Sequence, residues 1–64
     1  MRVNGKEIEI IKEIPLKEFL ETSGYDIGRI AVELNGEIVP KKTYGEMILK
    51  NTDSIEIVSF VGGG

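Results

Sequence analysis

Cysteine and histidine are both absent from this 64-residue sequence, and so is tryptophan. Without cysteine there is no disulfide and no thiolate nucleophile; without histidine there is no imidazole base near neutral pH, and the usual ligand sets for zinc are missing. Small secreted domains generally offset a thin core with disulfides, so a cysteine-free chain fits a reducing compartment, and the cytoplasm is the expected location. Basic residues are also scarce, eight against eleven acidic, for a net charge of −3. A nucleic-acid binder carries a basic excess to replace phosphate counterions and aromatics to stack on bases, and neither is present. No window approaches the roughly 18 consecutive apolar residues of a membrane span. The N-terminal stretch MRVNGKEIEI also lacks the apolar run of a secretory signal. General acid and base chemistry most often uses histidine, so the expectation is a protein that is not itself an enzyme and that binds no metal.

What is present suffices for one small domain. A chain of this length buries only about 60% of the surface its unfolded form exposes, which leaves no space for a roomy internal active site. Hydrophobic residues at 41% and charged residues at 30% are ordinary for a globular protein.

The pattern along the chain is regular. Asn4-Gly5 lies between MRV and KEIEI and supplies the positive φ angles of a two-residue hairpin turn, with Met1, Val3, Ile8 and Ile10 expected on one buried face. Next, IPLKEFLETSG places Leu16, Phe19 and Leu20 at helical spacing, with Pro15 suited to a first turn and Gly24 to an exit; a helix over about 15–22 follows. IAVELNGEIV repeats the hairpin signal around Asn35-Gly36, and Pro40 ends its second strand. KKTYGEMILKNTD reads as an irregular crossing segment anchored by Met47, Ile48 and Leu49, closing in a polar turn at 51–54. IEIVSFV is then a last strand with Ile55 and Ile57 on one face and Val58 and Phe60 on the other, an interior strand covered on more than one side. Two hairpins, a helix and a final strand fold into two layers when the helix closes on one face of a mixed sheet, an α+β β-grasp fold. The duplicated Asn-Gly hairpins do not make a repeat protein, since about three units are needed.

Chemistry concentrates at the end, where the strand runs into Gly62, Gly63 and Gly64. The expected organisation is a single domain over 1–61 and a flexible tail over 62–64. A terminal carboxylate with a pKa near 3.5 is an anion at pH 7 and a poor electrophile, so it needs activation before a nucleophile attacks it. Glycine suits such an end, because without Cβ it threads narrow channels and leaves its carbonyl unhindered. Three extended residues reach only about 10 Å, so the body of the domain has to dock close to a partner's active site. Phe60 and Val61 precede the glycines and are candidates for an apolar docking patch, with closure of the core by Phe60 the competing assignment. Lys41 and Lys42, the one adjacent basic pair, fit either a solvated turn or a contact with an acidic patch, and Asp53 and Glu56 fit either added acidic contacts to a partner or, the stronger assignment, solvated surface.

IAVELNGEIVPKKTYGEMIL followed by TDSIEIVSFVGGG resembles the ThiS family, the ubiquitin-like sulfur carriers of thiamine biosynthesis, over essentially the whole chain. The specific part is a combination: this length, VELNGEIVP, an aromatic at Tyr44, DSIEIV and a terminal diglycine. A DGD turn common in relatives stands here as Asn51-Thr52-Asp53, without its glycine. The resemblance implies that an E1-like (ThiF-like) adenylyltransferase uses ATP and Mg²⁺ to convert the Gly64 carboxylate to an acyl-adenylate. A persulfide sulfur donor then yields a thiocarboxylate, which a ThiG-like thiazole synthase consumes. It also implies a free chain that is monomeric and holds no cofactor itself, and a Tyr44 that packs rather than reacts. A similar tail serves molybdopterin synthesis, and a ubiquitin-like binding module with an unmodified tail is the alternative from another class.

Overall fold

The computed structural model describes residues 1–60; the assignments made above for Val61, Gly62, Gly63 and Gly64 lie outside the described residues. Both Asn-Gly pairs make hairpin turns, with Asn4 at φ 51° and Asn35 at φ 52°. The first joins β1 (Arg2–Val3) to β2 (Lys6–Glu7). Helix α1 (Leu16–Thr22) comes next, preceded by a two-residue strand β3 (Ile14–Pro15). The second turn joins β4 (Ile30–Leu34) to β5 (Glu37–Ile38), and the crossing segment contributes β6 (Ile48–Leu49) before the last strand, β7 (Ser54–Ser59). Five strands pair in the order β2-β1-β7-β4-β5. β1 runs parallel to β7 and the other pairs are antiparallel, so the sheet is mixed with the last strand at its centre.

Helix α1 is only seven residues long, so packing rather than intrinsic propensity holds it. Leu16 and Leu20 are fully buried against Ile30, Val32, Ile55 and Ile57 from the sheet, with Tyr44 and Leu49 from the crossing segment completing the core. The helix exit is a Schellman motif. Gly24 takes φ 87°, its amide donates to Glu21 and the Tyr25 amide donates to Leu20.

Four sequence expectations change. Residues 41–53 are less irregular than expected: they hold a 3-10 turn at Lys41–Thr43, and β6 pairs antiparallel with β3. The cause lies at the helix start, whose first amides lack partners within the helix. Met47 and Tyr44 supply carbonyls to Leu16 and Lys17 at 2.7 and 3.0 Å. Strand β2 stops at Glu7, so Ile8 is exposed and Ile10 only half-buried. There the Asn51 amide group takes over the role of a strand, accepting from the Ile10 amide and donating to the Ile10 carbonyl, both at 2.9 Å. Asp53 is buried at 9% exposure instead of solvated, because its carboxylate caps the turn by accepting from the Lys50 amide at 2.9 Å and from Asn35 Nδ2 at 3.0 Å. Finally, β7 is interior to the sheet but covered on one face only, since the helix lies over Ile55 and Ile57 while Val58 remains 59% exposed.

Candidate functional site

Side chains alternate across β7, so the face turned away from the helix carries Glu56 and Val58 and continues to Phe60 just beyond the strand. The Phe60 amide donates to the Arg29 carbonyl at 2.7 Å, which carries the ladder one residue past the strand's end and fixes where the chain leaves the sheet. Phe60 is 48% exposed and is not among the residues that form the core. Of the two assignments open from sequence, closure of the core is therefore set aside and an outward-facing aromatic remains. The register extends this face sideways: Val58 lies opposite Ala31, Glu56 opposite Glu33, and Glu33 opposite Ile38 on the edge strand. Val58, Phe60 and Ile38 are exposed large apolar side chains, and Glu33 and Glu56 stand exposed beside them.

This apolar and acidic face ends where the glycines begin in sequence. Arg29 is held by an exposed ion pair with Asp26 at 3.5 Å. Asp26 also caps the 3-10 turn Ile27–Arg29 by accepting from the Gly28 amide. Lys41 and Lys42 occupy an exposed turn and form no ion pair among the described residues. Tyr44 is 1% exposed in the core, where burial pushes its phenol above the ordinary value. Among the described residues no three or more His, Cys, Asp or Glu side chains gather as metal ligands would. No helix among them is long and apolar enough to cross a membrane.

Sequence reasoning assigned Val58 and Phe60 to one face correctly and misjudged what covers it. The signal was available: Glu56 shares their parity, and an exposed glutamate mid-strand marks a face open to solvent. Glu33 was missed because its neighbour Glu56 is 23 residues away in sequence and only the register joins them.

Comparison with known proteins bears on this geometry. The ThiS family model matches residues 1–64. The chain is 37% identical over 65 residues to the sulfur carrier protein ThiS of Bacillus subtilis, covering 100% of this chain and 98% of that protein. It is 39% identical over 62 residues to a thiazole synthase of Paramagnetospirillum magneticum, where it covers 97% of this chain but spans only 19% of the relative. The crystal structure of a thiamine biosynthesis protein (ThiS) from Geobacter metallireducens aligns with a TM-score of 0.83 at 29% identity, covering 98% of this chain and 96% of that one.

Proposed function

This chain belongs to the ThiS family, and on that premise we propose that it is a sulfur carrier for thiazole formation in thiamine biosynthesis, acted on by partner enzymes and not itself a catalyst. The observation that carries the reading is the exposed Val58–Phe60 face, tied to Arg29 at the point where β7 gives way to Gly62, Gly63 and Gly64. Such a face lets a partner grip the domain while the tail enters its active site.

The chemistry follows from the carboxylate. A Gly64 carboxylate oxygen attacks the α-phosphorus of ATP on an E1-like adenylyltransferase and pyrophosphate leaves. The resulting mixed anhydride has AMP as a good leaving group. The terminal sulfur of a persulfide attacks the carbonyl and expels AMP, forming an acyl C–S bond. A thiol then attacks the donor's own sulfur, breaking the S–S bond carried over from the persulfide, so that the donor leaves as a disulfide and the thiocarboxylate is released. ATP and Mg²⁺ belong to the partner in this scheme. This chain's contribution is to present an unhindered carbonyl on a slender tail and to hold the domain at a fixed distance from it.

A thiazole synthase fits as the acceptor, because a protein of that name contains a region similar to this whole domain. The names of the relatives favour thiamine over molybdopterin as the destination. Conversion of the Gly64 carboxylate to a thiocarboxylate, dependent on ATP and abolished by one residue added after Gly64, tests the reading. Unchanged partner binding with no such conversion would instead identify a binding module.

A further inference from the structure

The open sheet face holds an arrangement that packing does not explain. Glu33 on β4 and Glu56 on β7 stand directly opposite each other in the register, both exposed. Cβ atoms of such cross-strand pairs lie about 4.5–5.5 Å apart, and like charges there destabilise the sheet. Neither carboxylate has an ion-pair partner among the described residues. Arg2, which lies on the same face opposite Ser54, is engaged with Glu7 at 3.2 Å. The pair is flanked by Val58 on one side and Ile38 on the other, both exposed.

We propose that Glu33 and Glu56 form the recognition element of this docking face, receiving a cationic side chain of the adenylating partner while Val58 and Phe60 fill an apolar seat beside it. An arginine is the best match, since its planar fork donates to two carboxylates at once and offsets the repulsion between them.

Complementary charge selects this partner. An enzyme that activates a carboxylate with ATP has to hold a triphosphate with cations, so the protein surface around its acyl site is electropositive. A tail that reaches only about 10 Å past the domain brings this face against that surface. The chain as a whole, at net charge −3, approaches such a surface favourably. The inference rests on the carrier reading and adds to it which side chains select the adenylating enzyme.

The test is steady-state adenylation of the full chain by an adenylating enzyme already shown to process a ThiS-family carrier, comparing wild type with Glu33→Gln/Glu56→Gln. The control is Glu18→Gln/Glu21→Gln, which removes the same charge from exposed positions of α1 on the opposite side of the sheet. The open-face variant should raise KM about tenfold at low salt, more than it lowers kcat, with the difference from wild type shrinking as salt screens the contact. Its melting temperature should equal or exceed that of wild type, because a like-charge pair is gone. The control should shift KM less than about twofold. A KM for the open-face variant within about twofold of wild type, or a control that shifts equally, overturns the proposal while leaving the carrier reading intact. A defect confined to the later thiazole synthase step overturns the choice of partner. If wild type is not adenylated at all, the carrier reading itself has failed, and this inference with it.

Discussion

Phe60 is the residue on which stability and function separate most clearly. With half its surface in solvent and its amide held by Arg29, it contributes little to the core. Phe60→Ala should therefore change unfolding free energy by less than about 1 kcal/mol, whereas loss of an aromatic anchor from an interface is expected to raise KM for the adenylating partner about tenfold or more. Denaturant melts beside partner kinetics check this; a large stability loss with unchanged KM would return Phe60 to the core. Tyr44 is the opposite case, an aromatic shut into the core whose phenol is pushed above its ordinary value of 10.0 by burial. Because the folded value is the raised one, the stability that accompanies the neutral phenol is complete below about pH 10 and is lost as pH rises through the folded value. Wild type should lose melting temperature above about pH 10 more steeply than Tyr44→Phe, and parallel profiles would contradict the burial assignment.

Among the elements, β7 organises the fold, and the two hairpin turns hold it. The Asn4 side chain accepts from the Ile57 amide at 2.6 Å and donates to the Ile57 carbonyl at 3.2 Å, so the turn extends the pairing of β1 along the last strand. At the other end the Asn35 side chain accepts from the Ser54 amide at 2.9 Å while its backbone amide donates to the Ser54 carbonyl at 2.7 Å. Asn4→Ala loses both bonds and places an alanine at φ 51°, and should cost about 2 kcal/mol in urea unfolding with little change in slope. Asn4→Gly keeps the backbone unstrained and should cost less; equal stability of all three forms would show that the Ile57 contacts contribute nothing. These turns also show how far a sequence can be read. Asn-Gly pairs announce a hairpin because the requirement for positive φ is local. That the same asparagines clamp the last strand, 53 residues away from Asn4 and 19 from Asn35, depends on tertiary approach and leaves no local trace. Strand β6 was hidden for a similar reason: two residues pairing with β3 carry no periodicity, and their placement follows from the need of the helix start for carbonyls. The faces of β7 were legible from alternation, yet which face the helix would cover was not, since both are apolar in part.

At the scale of the whole molecule, the sheet has one side committed to the core and one side open to solvent among the described residues, and the open side carries Val58 and Phe60, the last apolar residues described before the glycines in sequence. That division makes a small acidic domain usable as a carrier: folding consumes Leu16, Leu20, Ile55 and Ile57, and recognition falls to Val58, Phe60, Glu33 and Glu56. Burial of apolar side chains, Tyr44 among them, supports the fold without a staple, since the sequence has no cysteine. In the proposed carrier role Gly64 lies only three residues beyond Val61 in sequence, so domain and tail would act as one unit on the partner. The intact mass of the chain, after incubation with an adenylating enzyme active on a ThiS-family carrier, MgATP and a persulfide donor, tests this most directly beside a control without ATP. The expected result is an ATP-dependent species in which one oxygen is replaced by sulfur, with fragmentation placing the change at Gly64. A mass that stays unchanged with an enzyme of proven activity would contradict the carrier account.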